Sequence, residues 1–423
     1  MKLFFLVIDG AFDRLGVKSA LSSANKPNLD RLAKMSRLGM MYPISKGIAP
    51  ESDSAVISIL GYNPDEGYTG RGPLEALGVG LRIREGYEVA FRANFATVEP
   101  NSMQIVDRRC GRSLSDDEAK ELARSIDNFK IGIHGGYARV IPTVGYRAVV
   151  VIGSENERLS DNVQNTDPAY AKVGRISEAL KSFEMRVRES AALDDTAEAK
   201  TTAELVNNFV VRSVEILDAH EVNRRREARG LPKANCLLMR DPGSAPPRFE
   251  SAESKFGLSF GAVAEMPVEK GIARALGMKT AEVPITEGWE ERYSRMLNAS
   301  LDLLSENDVV YAHLKGPDEP GHEGSLSGKV SSIEAIDEHF VGPLVKRVDL
   351  AKTPILVTSD HATPWVDRGH SADPVGVMLY VPHLEGDGFD RFDEESCSRG
   401  SLGTIEHGWE LLPSVFSLLR NKT

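Results

Sequence analysis

The sequence predicts an α/β protein: a three-layer α/β/α domain with a mostly parallel sheet, interrupted by an inserted α+β cap. Three observations carry this. Towards both ends of the chain, short apolar runs alternate with helical spacing, the pattern of a parallel sheet covered by helices on both faces. The middle of the chain breaks that alternation with hairpin-like and long helical stretches. Finally, 423 residues exceed the size at which one core usually keeps growing, so two domains are expected. The economical division is a discontinuous domain, 1–85 plus 256–423, around an insert at 86–255.

The elements follow in order. "LFFLVI" (3–8) reads as a buried strand ending on Asp9. It is a poor secretory signal, which wants roughly 7–15 apolar residues and a small-residue cleavage site, so a cytoplasmic location is expected. "NLDRLAKMSRLG" (28–39) has helical spacing, with Asn28 as cap and Gly39 as stop. "SDSAVISILGYNP" (52–64) reads as a helix opening at Ser52 or Asp53 and closed by Gly61 and Pro64. Residues 68–80 are turn-like, then helical, and 87–109 form two strand runs around a Pro-Asn turn. A helix is expected at 115–126, a strand at 146–152, and helices at 174–191 and 197–230, the last ending in the solvated charge run "NRRREARG". From about 268 the alternation returns: helix 288–305, strand 308–314, helix 328–348, strands 354–358 and 376–381, helix 409–419.

Composition narrows the functional classes. Hydrophobic content of 41% and charged content of 27% suit a water-soluble globular chain. A net charge of −11 argues against a nucleic-acid-binding surface, while leaving room for a small anion in a local basic pocket. Cys110, Cys236 and Cys397 are far apart and form no CxxC, as expected of free thiols in a reducing compartment. No apolar run is long enough to span a bilayer, so no membrane partner is expected.

Chemistry concentrates at predicted strand ends. "SDHATPWVDRGH" (359–370) follows the strand-like "PILVT" and carries Asp360, His361 and His370. "DVVYAHL" (308–314) is followed by "KGPDEPGHEG", with Asp318 and His322. Open α/β sheets place ligands beyond the carboxyl ends of their strands. Together with Asp9, these imidazoles and carboxylates suffice for two divalent metals, each needing three or four ligands. Two metals can clamp a phosphoryl transfer and ionise a bound hydroxyl. Ser52, at a predicted helix start after a Pro-containing turn, offers such a hydroxyl where free N–H groups favour an anion. Taken singly, Ser52 reads as an N-cap, Asp318 as a turn cap and "SDH" as a polar turn. His313 reads as core or supporting; His339, His383 and His407 read as surface or structural.

The chain resembles the archaeal-type, cofactor-independent phosphoglycerate mutases of the alkaline phosphatase superfamily. The resemblance rests on "IDG", "PESD", "LGYNP", "YTGRGPLEALG", "FRANFATV", "VDRRCGR", "LSDNVQNTDP", "KGPDEPGHEG" and "SDHATP…GHSADP", in that order over most of the chain. It implies that Asp9, Ser52, Asp360 and His361 surround one metal, and Asp318, His322 and His370 the other. It implies that Ser52 takes the phosphoryl group of a phosphoglycerate and returns it to the other hydroxyl of the reoriented glycerate. No bisphosphoglycerate is then required, and the reaction belongs to glycolysis and gluconeogenesis. The metals implied are Mn or Mg, with Zn or Co as alternatives. One departure stands out: a small residue is expected before the nucleophile, and this chain has Glu51, which is expected to face solvent.

A substrate carrying a phosphate and a carboxylate needs cations, and Arg grips both through paired donors. Arg108, Arg109 and Arg240 are the leading candidates in the insert, which also holds Arg92, Arg112 and Arg147. Arg71 reads as a phosphate ligand or a turn anchor, and Lys315 as a neutraliser of phosphate charge. Asp161 and Asp167 read as contacts to glycerate hydroxyls, as acid/base groups, or as turn-forming Asx residues. A metal-dependent phosphatase or a homoserine-kinase-like phosphotransferase would share the metal site, and a non-catalytic relative would have lost part of it. The Arg-bearing insert favours the mutase, with a cap that closes over the phosphoserine against water. A monomer or small homo-oligomer is expected.

Overall fold

Leu3–Ile8 is a run of six buried apolar residues, the signature of a strand covered on both faces. It pairs in parallel with Val309–Leu314 on one side and with Ile355–Thr358 on the other. All three strands end at the same edge, so Asp9, Lys315 and Ser359–His361 follow side by side. This computed structural model describes residues 2–174, 176–286 and 288–420. Those strands lie within an eight-stranded sheet, ordered Lys279–Ala281, Phe260–Val263, Val309–Leu314, Leu3–Ile8, Ile355–Thr358, Val375–Tyr380, Arg37–Met41, Gly403–Ile405. Only Val375–Tyr380 runs against its neighbours, so the sheet is mostly parallel.

The chain divides into two compact units, Met1–Glu66, Phe249–Glu265 and Ile272–Thr423 in the first, Gly67–Arg248 and Met266–Gly271 in the second. The first holds the eight-stranded sheet. The second is built on an antiparallel sheet ordered Cys236–Gly243, Glu88–Glu99, Arg147–Ser154, Gly136–Pro142, Phe129–Lys130, with Gln104–Asp107 paired to Glu88–Glu99. Val89, Phe91, Ala93 and Phe95 pack into one core with the helices Asp116–Ile126 and Ala197–Asp218. Ala90, Val149 and Val151 pack on the opposite face with Ala76 of the helix Arg71–Gly78.

That second face moves the expected boundary. Residues 67–85 group with the second unit rather than with the first, and 249–255 with the first. The cause is a backbone-to-backbone approach: a Cβ at Gly72 would lie 2.2 Å from Ala90 O and 2.5 Å from Asp241 O. Only glycine allows the Arg71–Gly78 helix to seat on that sheet.

Several expected elements are redrawn. Residues 28–39 are not one helix: Pro27–Lys34 is helical and Arg37–Met41 is a strand. Asn28 is no cap; its side chain bonds Asp337, and Gly39 lies against Gly403, where a Cβ would come within 2.7 Å of a carbonyl. The described residues of 174–191 are not helical; Tyr170–Val173 and Ile176–Ala179 pair antiparallel, and Gly174 between them has φ +59°. Arg175, within that expected helix, lies outside the described residues. The 197–230 stretch is two helices, because His220 leaves helical geometry and its Nδ1 caps Glu221–Ala228 by accepting from Val222 N. The 328–348 stretch is Leu326–Ile336, a π turn at Asp337–Val341, and Gly342–Arg347. Pro343 has no N–H to donate, and a wider turn precedes it.

Candidate active site

The parallel strand ends place the first group of side chains. Asp9 follows Leu3–Ile8, Asp360 and His361 follow Ile355–Thr358, and Lys315 follows Val309–Leu314. Asp318 opens the short helix Asp318–Glu323, which carries His322 one turn on, and His370 lies in the loop after His361. Ser52 is the first residue of the helix Ser52–Ile59; the cap position belongs to Glu51, whose side chain makes no capping bond. All of these belong to the first unit.

The side chains converge. Ser52 Oγ lies 3.3 Å from His361 Nε2. The same nitrogen lies 3.3 Å from Asp9 Oδ1 and 3.4 Å from Asp360 Oδ2. Asp318 Oδ1 lies 3.4 Å from His322 Nε2 and 3.5 Å from His370 Nε2. The rings of His361 and His370 stack at 3.7 Å between centroids, joining the two groups. His370 Nδ1 donates to Pro50 O at 2.9 Å and His322 Nδ1 to Arg368 O at 3.2 Å. In both rings Nδ1 is tied to the backbone and Nε2 is turned to the carboxylates, the orientation that ligating imidazoles adopt.

Electrostatics follow from burial and crowding. Burial alone would raise the Asp9 carboxyl, but the Lys315 ammonium, 2.6 Å from its Oδ2, pulls it below its usual value. Burial, followed by repulsion from Asp9, pushes Asp360 well above the usual carboxylate range, although Lys315 acts in the opposite direction. Burial would also raise Asp318, yet His370, His361 and His322 outweigh it and hold it low. Burial, then the neighbouring His370, pushes His361 down to about 3. His370 is opposed by burial but raised to about 9 by its contact with Asp318.

These residues fit a divalent cation. Asp9 Oδ1 and Asp360 Oδ2 are buried and accept no hydrogen bond, an arrangement that costs several kcal/mol per bare charge unless a cation compensates it. Two clusters bring ligand atoms within 4.8 Å of one another: Asp318 with His361 and His370, and Asp9 with His313 and Asp360. His313 belongs to the second cluster, beyond the core or supporting role that its position within a strand suggests. Its Nε2 reaches 3.6 Å from Asp360 Oδ2, while Tyr311 OH meets its Nδ1 at 2.9 Å. The period-two spacing of Tyr311, His313 and Lys315 was the available signal.

The remaining candidates lie in the second unit, apart from Lys315. Asp167 is fully buried and bridges Arg108, whose Nη2 lies 2.7 Å from Oδ2, and Arg240, whose Nη1 lies 2.9 Å away. It also accepts from Ala169 N, the Asx turn that its sequence allowed. Arg240 lies inside the strand Cys236–Gly243, directly opposite Arg92. Like charges in register repel, and here separate carboxylates offset them: Arg240 meets Asp167, while Glu75 Oε1 lies 2.9 Å from Arg71 Nε and 3.4 Å from Arg92 Nε. Burial, then Arg71 and Arg240, pushes Arg92 down to about 10. Glu75, not singled out from sequence, is what holds this cationic face together. Asp161 accepts from Ser244 N through its side chain and from Lys172 Nζ through its carbonyl. Arg109 follows Gln104–Asp107, with its N–H on Asp107 Oδ1 at 2.6 Å.

Comparison with known proteins places this geometry in a family. The family model described as 2,3-bisphosphoglycerate-independent phosphoglycerate mutase matches residues 33–223. A mutase of that name from Aeropyrum pernix is 45% identical over 99% of this chain and 100% of its own length. One from Methanopyrus kandleri is 38% identical over 95% of this chain and 93% of its own. The chain belongs to the 2,3-bisphosphoglycerate-independent phosphoglycerate mutases. The solved cofactor-independent phosphoglycerate mutase of Thermoplasma acidophilum is similar in fold, with a TM-score of 0.62 at 30% identity, covering 99% of both chains. Within this phosphoglycerate mutase chain, the unusual Glu51 is exposed, although the helix that it precedes is largely buried. Among the described residues of the mutase, no helix is long and apolar enough to cross a membrane.

Proposed function

We propose that this phosphoglycerate mutase interconverts 3-phosphoglycerate and 2-phosphoglycerate through a phosphoserine at Ser52, within a two-metal centre. One observation carries the reading: a serine oxygen at a helix N-terminus lies 3.3 Å from an imidazole nitrogen that two buried carboxylates also face. Asp9, Ser52, Asp360 and His361 would hold one divalent cation, and Asp318, His322 and His370 the other, lowering the pKa of a bound hydroxyl and neutralising phosphoryl charge. The carboxylate-rich donor set around Ser52 favours Mn or Mg, with Zn or Co as alternatives.

The chain's own groups then divide the work. Ser52 Oγ forms the new bond to phosphorus as the bond to one glycerate oxygen breaks, and that oxygen takes up a proton. The reverse exchange at the other hydroxyl regenerates the serine, so water is neither consumed nor released. The positive end of the Ser52–Ile59 helix favours the charged phosphoryl group. Lys315, tied to Asp9, supplies further positive charge at the same sheet edge. Arg71, Arg108, Arg109 and Arg240 are the proposed contacts to substrate phosphate and carboxylate, with Asp161 and Asp167 for glycerate hydroxyls. Asp167 already engages Arg108 and Arg240, which favours a role in fixing those guanidinium groups.

The test is conversion of 3-phosphoglycerate to 2-phosphoglycerate, coupled through enolase, with Mn and without bisphosphoglycerate. Steady product formation is expected. Release of inorganic phosphate instead would make the chain a phosphatase on the same scaffold.

A further inference from the structure

In the proposed centre His361 and Asp318 serve different cations, and one hydroxyl touches both. Thr363 Oγ1 donates to Asp318 Oδ1 at 2.8 Å and lies 3.0 Å from His361 Nδ1. A carboxylate can only accept, so the single hydroxyl proton is committed to Asp318. Toward His361 the oxygen therefore has only lone pairs, and Nδ1 must carry the ring proton. Nε2 is left with its lone pair facing Ser52, Asp9 and Asp360.

The backbone of Thr363 is anchored on both sides. Its N–H donates to Phe12 O at 3.1 Å, and its C=O accepts from Lys329 Nζ at 2.9 Å. Lys329 is itself fully buried and bonded to Phe12 O and to Asp13 Oδ1. The surrounding backbone is cut to fit the side chain. A Cβ at Gly10, where φ is +62°, would lie 2.8 Å from Thr363 Oγ1, and one at Gly321 would lie 2.9 Å from Thr363 Cγ2. A side chain at either glycine would therefore crowd the threonine, and one at Gly10 would also meet Asp318 Cα and Cβ at 2.8 Å.

We propose that Thr363 is a positioning residue that fixes the Nε2-ligating tautomer of His361 and mechanically links the two cation sites through Asp318. The proposal rests on the two-metal reading above. Two variants separate hydroxyl from shape: Thr363→Val keeps the volume and removes the hydroxyl, and Thr363→Ser restores it. Mn binding to the full chain is followed by titration calorimetry, and the imidazole tautomer by ¹⁵N chemical shifts of the metal-free protein. The wild type is expected to bind two Mn and to show a protonated Nδ1 on His361. Thr363→Val should weaken Mn binding about 10–100-fold, the usual effect of losing a partner that orients a ligand, and should mix the tautomers; Thr363→Ser should behave as wild type in both readouts. Failure of the wild type to bind two Mn overturns the metal reading itself. Two Mn bound with equal affinity by wild type and Thr363→Val overturns the role of Thr363 alone. A wild-type His361 lacking the Nδ1 proton overturns it whatever the variants do.

Discussion

Ser52 Oγ and His361 Nε2 stand 3.3 Å apart although 309 residues separate them in the chain. One opens a helix and the other follows a central strand, so the contact exists only when the sheet is assembled. If Ser52 carries the phosphoryl group, Ser52→Ala should lower mutase turnover by at least about 10³-fold, the scale seen when a nucleophile is removed. Metal content, read by elemental analysis, should fall by no more than one weakened site. Substantial residual turnover would assign the transfer to another group.

Asp167 is the keystone of the second unit. It is fully buried and engages two guanidinium groups that are themselves largely buried. Removing one partner of such a cluster leaves uncompensated charge, so Asp167→Asn should cost about 3–5 kcal/mol of stability. Urea unfolding of the variant checks this, and a loss below 1 kcal/mol would show that solvent reaches the pair. Phosphoglycerate KM should rise in the same variant, because Arg108 and Arg240 lose the group that orients them.

The Asp318–His370 pair makes the metal-free protein sensitive to pH. His370 is raised from 6.5 to about 9, so its stabilising contribution is complete below pH 6.5 and is lost as pH climbs through about 9. Asp318 is lowered from 3.8, so its contribution is present above that pH and is lost only in stronger acid. The melting temperature of chelated protein should therefore fall between pH 6.5 and 9, and His370→Gln should flatten that slope. An unchanged slope in the variant would place the titration elsewhere.

Chelation should abolish activity and lower thermal stability, because Asp9 Oδ1 and Asp360 Oδ2 then have no cation to face. Added Mn should restore both. Full activity after exhaustive chelation, verified by elemental analysis, would contradict the metal reading.

Much of this was legible in the sequence because the informative residues sit at strand ends. Buried strands announce themselves as unbroken apolar runs, and Asp9, Lys315, Asp360 and His361 lie just beyond three such runs. What failed was local and had local causes. Arg37–Met41 is too short to be told from the tail of the preceding helix by periodicity. The paired strands Tyr170–Val173 and Ile176–Ala179 lack the alternating pattern of a half-buried sheet because their described side chains are partly or fully exposed. His220 ends a helix without glycine or proline. The partnership of Glu75 with Arg71 and Arg92 depends on a helix seating on a distant sheet, which no local pattern announces.

The most direct test of the central claim is to quench the Mn-loaded enzyme in acid during turnover of 3-phosphoglycerate and map its phosphorylation by peptide mass spectrometry. The account predicts one phosphoryl group, on Ser52, that disappears when substrate is exhausted by enolase. Phosphorylation of a different residue, or none in a protein that is turning over, would contradict it.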